Sequence, residues 1–399
     1  MLKFKYLKNL VLLIVIISFV GCGSDESSEP VILNDYLTSS VKLQSYSSTD
    51  VASVAGAFGL SEVSDLLTLG FTVHKIEYKT QYLGEEITAS GLISIPTSTA
   101  SFPLMSLAHG TIASNSEAPS QNITSNLLFV AVASAGYITI VPDFIGFGSS
   151  ADKIHPYYFE EHIATPCVDM IRAAKEFLKQ ESIAYEDKLF LGGYSEGGYV
   201  TMVTQKLIET SFPDEFNLVA SAPSSGGYDV KHMQEYFFSL STYQQPFFIA
   251  YVSMSYKTVL GLDFIADVFK EPYASRIPAL FDGSKSGGLI NAELTDNVSD
   301  LLTENFLANF DTDAKFEPIK NAFLANSPVN WIPKTRTFMY HGTLDITVPY
   351  NNSVVSYNKL LAAGASTDIV SFTPLENKTH TTGAIPYFID VLKKFDALK

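Results

Sequence analysis

The segment KLFLGGYSEGGYVTMV, residues 188–203, carries the strongest indication of the fold. Its apolar start predicts a strand, and the residues after Gly197 can continue as a helix. Between them lies Gly193-Tyr194-Ser195-Glu196-Gly197, the one Gly-x-Ser-x-Gly pattern in the chain. Small residues two before and two after Ser195 let the backbone bend sharply, which exposes the serine hydroxyl. We therefore interpret Ser195 as a nucleophile on a strand-to-helix turn.

Strand-like and helix-like segments alternate on both sides of this turn, which predicts an α/β fold with a mostly parallel sheet flanked by helices. A helix beginning near Ile163 separates the early strands from the serine turn. The predicted strands are 71–80, 87–96, 102–108, 137–142, 188–192, 216–222, 335–340 and 368–373. Further helices are predicted over 122–135, 351–363 and 385–398, the first two closed by Gly136 and Gly364.

The alternation stops between residues 223 and 334, where aromatic residues crowd from Tyr228 to Phe281. We interpret this segment as a mainly helical cap inserted into the α/β fold. The core is then divided into a first half, residues 36–222, and a second half, residues 335–399. The glycine-rich segment 283–288 follows no strand and lacks a phosphate-loop lysine pattern, so we expect a turn within the cap.

A serine nucleophile needs a base, and the base needs an acid that orients it. Where the serine lies on a Gly-x-Ser-x-Gly turn of this type, the acid and then the histidine follow it along the chain, which leaves His380 as the predicted base. Asp345 follows the 335–340 strand and is the predicted acid, with Glu376 as a local rival. His341 is expected to be structural and to hold the turn by hydrogen bonds.

Two backbone amides must bind the oxyanion of the tetrahedral intermediate. We expect one from Glu196, directly after the nucleophile, and the other from Thr111, in the loop after the 102–108 strand. The side chain of Glu196 is expected to point out along its helix. Asp143, at the end of another strand, is interpreted as a loop anchor, with substrate contact as the alternative.

The N-terminus predicts a lipoprotein signal peptide, residues 1–21. Three early lysines precede an apolar segment, 10–20, that is short for a membrane span. Val20-Gly21-Cys22-Gly23-Ser24 is similar to the lipobox of bacterial lipoproteins, which predicts lipidation of Cys22. Polar residues then predict a flexible tether over 22–35. These features place the protein at the bacterial cell envelope, lipid-anchored at the outer membrane on its periplasmic or outer side.

The composition of the chain also bears on which partners it can bind. The 399 residues are 46% hydrophobic and carry a net charge of -16, which argues against a nucleic acid partner. No metal-binding pattern is present, and we expect neither a metal nor a cofactor. No protein partner is indicated. The second cysteine, Cys167, falls in a helical apolar series, so we expect it to be buried in the core.

The chain resembles the α/β-hydrolase superfamily, and within it the secretory lipase group with its yeast lipase A-like and bacterial members. The resemblance covers residue 71 to the C-terminus and is carried by the segments 108–111, 118–120, 141–146, 193–198, 227–229 and 342–349. It implies hydrolysis of carboxylic esters beneath a helical cap. We expect an esterase or lipase that acts on a small-molecule or lipid ester through an acyl-enzyme. A serine peptidase, with Asp229 or Asp263 holding a free amino terminus, and a catalytically inactive surface binding lipoprotein remain the alternatives.

Overall fold

One nine-stranded sheet runs through the part of the chain that the computed structural model describes, residues 34–399. In chain order its strands are β1 (Leu37–Tyr46), β2 (Phe71–Tyr82), β3 (Glu85–Pro96), β4 (Phe102–Ala108), β5 (Ile138–Pro142), β6 (Tyr185–Tyr194), β7 (Leu218–Ser224), β8 (Arg336–Gly342) and β9 (Val370–Leu375). They lie in the order β1-β2-β3-β5-β4-β6-β7-β8-β9. The pairs β1–β2, β2–β3 and β3–β5 are antiparallel. The remaining pairs are parallel: β5–β4, β4–β6, β6–β7, β7–β8 and β8–β9.

Helices cover both faces of the sheet and fill the segment between β7 and β8. In chain order the described α-helices are α1 (Ser48–Ala57), α2 (Leu127–Val130), α3 (Glu160–Gln180), α4 (Glu196–Ser211), α5 (Val230–Ser239), α6 (Pro246–Leu260), α7 (Ile265–Val268), α8 (Tyr273–Arg276), α9 (Gly287–Asn291), α10 (Val298–Leu301), α11 (Glu304–Asn309), α12 (Glu317–Ala325), α13 (Tyr350–Ala363) and α14 (Ala384–Asp396). Short 3₁₀ turns connect several of them.

The core is built on the two faces of the strands. Along β6, Phe190 packs with α14 on one face, whereas Leu189 and Leu191 pack with α3 on the other. This alternation follows from the period of two in a strand, and burial of both faces explains why the central strands are almost continuously apolar. The predicted fold class is therefore confirmed, including the helical segment inserted between β7 and β8.

The inserted helices α5–α12 carry the aromatic residues that marked the segment in the sequence. Most of these rings are buried in one apolar cluster, which also contains Tyr157, Tyr158 and part of α4. Tyr251, for example, stacks on Tyr157, which lies outside the insertion, with ring centroids 4.7 Å apart. The aromatic side chains therefore join the insertion to the rest of the molecule.

Three elements differ from the sequence prediction. The helix α1 was not predicted, because only Val51 and Ala55 are buried in it and its apolar periodicity is weak. The edge strand β1 was not predicted, because it is exposed on nearly all positions after Leu37 and so lacks an alternating apolar pattern. The helix predicted over 122–135 is wrong for most of its length, since only Leu127–Val130 is α-helical. The Asn126 amide donates to Glu117 O and Asn122 O, which stabilises a turn there, and a 3₁₀ segment (Ala131–Ala135) follows.

The signal peptide, Cys22 and nearly all of the predicted tether lie outside the described residues. Among residues 34–399, no helix is both long enough and apolar enough to cross a membrane.

Candidate active site

Ser195 lies on a strained turn between β6 and α4. Its backbone has φ 63° and ψ −126°, a region that side-chain-bearing residues rarely adopt. Gly193 and Gly197 make the turn possible, because a Cβ at Gly193 would overlap the Gly197 carbonyl and one at Gly197 would overlap that of Ala108. The turn is held by a bond from Ser195 N to Ser224 O, 2.9 Å. The strand-turn-helix context predicted for the motif is therefore present.

The three residues predicted as nucleophile, base and acid form one hydrogen-bonded series. Ser195 Oγ lies 2.8 Å from His380 Nε2, and His380 Nδ1 lies 2.6 Å from Asp345 Oδ2. A carboxylate only accepts, so Nδ1 carries the proton and Nε2 is free to accept from the serine hydroxyl. The series can therefore remove a proton from Ser195.

Parallel strands explain how three distant residues meet. Ser195 follows β6, Asp345 follows β8 and His380 follows β9, and the carboxyl ends of parallel strands share one edge of the sheet. The His380 loop is fixed by Tyr194, whose hydroxyl donates to His380 O at 2.7 Å. Glu376, the rival acid, is exposed and has no hydrogen bond to His380 among the described contacts.

Asp345 is buried, and its carboxylate accepts hydrogen bonds from four donors. Asp345 Oδ1 accepts from the amides of Thr347 and Val348 at 3.0 and 3.1 Å, while His341 Nε2 lies 3.1 Å from Oδ2 beside the His380 contact. Burial alone would raise the pKa of Asp345, but the hydrogen bonds from His341 and His380 outweigh it and lower that pKa. The carboxylate is therefore ionised at neutral pH and suited to stabilise an imidazolium.

His341 is part of this support, as expected. Its Nε2 also lies 2.9 Å from Val348 O, which can only accept, so Nε2 carries the proton. Its Nδ1 must then accept, and Ser353 Oγ at 2.6 Å is the donor. Ser353, on α13, holds the second ring nitrogen of His341 and was not singled out in the sequence.

The loop after β4 lies against the nucleophile. A Cβ on Gly110 would sit 3.6 Å from Ser195 Cβ, so Gly110 brings the backbone close. Next to it, Thr111 Oγ1 lies 3.0 Å from Tyr157 OH, while the His109 ring stacks on Phe144 at 4.1 Å. These contacts place the predicted oxyanion loop beside Ser195.

The side chain of Glu196 does not point out along its helix, which corrects the expectation from sequence. It is buried, and its Oε1 lies 2.6 Å from Nε2 of the buried His155. His155 precedes Ser195, so the chain order Ser, acid, His rules it out as the base. Because 41 residues separate the two, no local pattern in the sequence could reveal this pair.

Asp143 acts as a loop anchor. One carboxylate oxygen accepts from Ser90 Oγ at 2.6 Å and the other from Ser120 N at 2.7 Å, and the residue is fully buried. These bonds tie the loop after β5 to the segment downstream of the oxyanion loop. Both carboxylate oxygens are bonded to donors from other segments and the side chain is fully buried, which favours the anchor over substrate contact.

The two carboxylates considered for a peptidase are engaged elsewhere. Asp229 is buried, caps α5 through His232 N at 3.0 Å and pairs with Lys359. Asp263 is exposed and pairs with Lys257 at 2.8 Å. Both side chains already have cationic partners, so neither is a free anchor for an amino terminus.

An apolar pocket borders the series on the side of the insertion. Its empty space, counted together with the solvent at its open side, amounts to about 680 Å³. Tyr157, bonded to Thr111, and Val348, whose amide binds Asp345, form its boundary with the site. Its remaining walls come mainly from α5 and α6 and are aromatic or aliphatic, among them Val230, Phe237, Phe248 and Val252. Gln234 is the amide among these apolar walls.

Cys167 is buried in α3, as the apolar spacing predicted, and burial raises the pKa of its thiol to about 12. Within the described part of the chain, no group of three or more His, Cys, Asp or Glu residues could hold a metal ion.

The sheet order and the serine turn define the α/β-hydrolase fold. The family model for secretory lipases matches residues 114–236, which include the serine turn. No functionally curated protein is significantly similar to the chain in sequence. The family match confirms the resemblance to the secretory lipase group.

Three solved structures are similar in fold to this chain over most of its length. A Legionella pneumophila protein assigned to the hydrolases is 26% identical, with a TM-score of 0.82 over 91% of this chain and 98% of its own. The rice cell wall degrading esterase LipA from Xanthomonas oryzae is 25% identical, with a TM-score of 0.79 over 91% and 99%. Candida antarctica lipase A is 18% identical and shares the fold, with a TM-score of 0.65 over 91% and 82%. The protein is a hydrolase acting on esters, as predicted.

Proposed function

We propose that the protein is a serine carboxylic-ester hydrolase that works through Ser195, His380 and Asp345 and an acyl-enzyme. The observation that carries the proposal is the continuous series from Ser195 Oγ to His380 Nε2, 2.8 Å, and from His380 Nδ1 to Asp345 Oδ2, 2.6 Å. A serine hydroxyl is a weak nucleophile until a base of this kind removes its proton.

In the acylation step, Ser195 Oγ attacks the ester carbonyl carbon while His380 Nε2 takes the hydroxyl proton. The carbonyl electron pair moves to oxygen, and Asp345 stabilises the imidazolium. When the tetrahedral intermediate collapses, the bond to the leaving alcohol breaks and His380 protonates the alcohol oxygen. The acyl group then remains on Ser195.

Deacylation repeats these steps with water. His380 removes a proton from water as the oxygen attacks the acyl-enzyme, and it returns that proton to Ser195 Oγ as the acid leaves. In both steps the oxyanion is assigned to the backbone amides of Glu196 and Thr111. The short approach of Gly110 to Ser195 and the helix that begins at Glu196 support this assignment.

The apolar pocket is the proposed site for the acyl or aryl part of the ester. Its walls suit an uncharged apolar group better than a sugar or an ion. Tyr157 and Val348 connect it to the site through Thr111 and Asp345, which supports a position beside the reacting carbonyl. The inserted helices that line it would act as a cap over the substrate.

The experiment that tests this function compares p-nitrophenyl butyrate and laurate with aminoacyl p-nitroanilides. We expect ester turnover by the wild type and its loss in Ser195→Ala. Turnover of anilides alone would favour the peptidase. No turnover of either would favour an inactive binding protein.

We also propose that lipid on Cys22 holds the enzyme at the bacterial outer membrane, with 1–21 as signal peptide, 22–35 as tether and 223–334 as cap between core segments 36–222 and 335–399. The lipobox-like segment ending at Cys22 supports the anchor. Expression of Cys22→Ser, with Cys167→Ser as the matched control, tests it. The first variant is expected in the soluble fraction and the control in the membrane fraction; membrane-bound Cys22→Ser would overturn the anchor.

A further inference from the structure

The residue directly after the nucleophile is paired with a buried histidine. Glu196 and His155 are 1% and 3% exposed, and Glu196 Oε1 lies 2.6 Å from His155 Nε2. On the other side of the ring, His155 Nδ1 lies 2.7 Å from Ile145 O. The ring is thus held between a carboxyl group and a carbonyl group.

These two contacts fix the charge of the pair. The Ile145 carbonyl can only accept, so His155 Nδ1 carries a proton. The short contact to Glu196 holds a second proton, on either the imidazole or the carboxyl group. In the first case the pair is an imidazolium and a carboxylate, and in the second it is two neutral groups. In both cases its net charge is zero.

In these surroundings, His155 is the group that can neutralise the charge of the Glu196 carboxyl group. Its ring lies among aromatic rings, with centroids 5.8 Å from Phe144, 5.3 Å from Phe147 and 5.5 Å from Tyr251. Among residues 34–399, the ion-pair contact of Glu196 is to His155 alone. A buried carboxylate without a partner is strongly unfavourable, and its charge is poorly screened.

We propose that His155 is a positioning residue for ester hydrolysis, which keeps the Glu196 carboxyl group neutralised and fixed beside the oxyanion site. The amide of Glu196 is one of the two assigned oxyanion donors, so an unpaired carboxylate on the same residue would repel the negative charge that develops there. The inference rests on the proposed function, because it concerns that oxyanion.

The loop that carries His155 is also anchored by contacts other than the one between His155 and Glu196. Asp143, at its start, is tied to Ser90 Oγ and Ser120 N, and Ile145 O accepts from His155 itself. His155 is therefore held in a fixed position, and its contact with Glu196 Oε1 fixes the side chain of the residue after Ser195.

A double-mutant cycle tests the proposal with p-nitrophenyl butyrate. Glu196→Gln removes the charge and keeps both the backbone N–H and an amide that can bond to His155; because it changes the residue that carries the assigned oxyanion donor, kcat is expected to fall by about threefold. His155→Phe fills the ring site but leaves the carboxyl group unpaired, and kcat is expected to fall about 10- to 100-fold with little change in KM. The double variant His155→Phe/Glu196→Gln is expected to recover most of that loss.

A purely structural role predicts the opposite order, since a second core substitution would leave the double variant at least as impaired as His155→Phe. That result, or unchanged kcat in His155→Phe, would overturn the inference. If His155→Phe does not fold, the same cycle with His155→Gln decides, under the same criteria. The proposed function fails separately, if Ser195→Ala keeps ester turnover; a wild type without ester turnover would overturn both.

Discussion

His380 Nδ1 lies 2.6 Å from Asp345 Oδ2, although 35 residues separate them in the chain, while the nearby Glu376 is exposed. The strand order produces this relationship, because β8 and β9 are parallel neighbours whose carboxyl ends coincide. We therefore assign Asp345 as the acid from the strand topology, although Glu376 lies closer to His380 along the chain.

The first prediction concerns that assignment. Asp345→Asn should lower kcat for p-nitrophenyl butyrate by about 10³- to 10⁴-fold, since the amide no longer stabilises the imidazolium or its tautomer. Glu376→Gln, the matched control, should leave kcat unchanged. Steady-state kinetics check both, and a large effect in Glu376→Gln with none in Asp345→Asn would reverse the assignment.

The lowered pKa of Asp345 predicts how stability depends on pH. Because the folded state holds this proton less readily than the unfolded chain, the contribution of Asp345 to the free energy of unfolding is complete above its ordinary pKa of about 4. It should disappear as pH falls through the lower folded-state value. Urea unfolding of wild type and Asp345→Asn from pH 7 to pH 3 measures this, and their difference should shrink toward low pH. A difference that stays constant or grows would contradict the prediction.

The support behind the acid can be tested with two serines on α13. Ser353 Oγ lies 2.6 Å from His341 Nδ1, whereas Ser356 Oγ is equally buried and has no hydrogen-bond partner among the described residues. Ser353→Ala should lower kcat by about 3- to 10-fold, because His341 Nδ1 loses its hydrogen-bond partner and the ring that supports Asp345 is held less firmly. Ser356→Ala should leave kcat unchanged. Equal effects in the two variants would show that His341 needs no such donor.

The oxyanion assignment of Thr111 depends on its amide and not on its hydroxyl. Thr111→Val removes the hydroxyl that contacts Tyr157 but keeps the N–H, so kcat should change by less than about threefold. Thr111→Pro removes the N–H and should lower kcat by about 10²- to 10³-fold. Circular dichroism of both variants controls for folding. A folded, fully active Thr111→Pro would exclude this amide from the oxyanion site.

Gln234 predicts a stabilising substitution in the apolar pocket. Its Oε1 is buried without a hydrogen-bond partner among residues 34–399, and such a group costs about 1–3 kcal/mol. Gln234→Leu, of similar volume, should therefore raise the free energy of unfolding by about 1 kcal/mol and increase kcat/KM for p-nitrophenyl laurate relative to butyrate. Met233→Leu, on the same wall, should change neither. Lower stability in Gln234→Leu would show that the amide is satisfied in solution.

The sequence predicted the parts of this molecule that repeat a local pattern. Buried parallel strands such as β6 are apolar throughout, and the residues after Gly197 could be recognised as the start of a helix. The order Ser195, Asp345, His380 also follows from the chain. The strand β1 is exposed along most of its length, so it carried no pattern to recognise.

Contacts between distant segments were beyond the reach of the sequence. The pair His155–Glu196 and the donor Ser353 depend on how loops and helices approach each other in space. A carboxylate at the start of a helix is usually exposed, and nothing in the segment 193–198 shows that a histidine 41 residues earlier meets it. Tertiary packing decided the direction of that side chain.

Whether Ser195 is the nucleophile can be determined by intact-mass and peptide-mapping mass spectrometry after reaction with a p-nitrophenyl alkylphosphonate. We expect a single phosphonyl adduct on the peptide that contains Ser195. We also expect no adduct in Ser195→Ala and a strongly slowed reaction in His380→Ala, since the base is lost. An unlabelled wild type, or an adduct on another residue that persists in Ser195→Ala, would show that Ser195 is not the nucleophile.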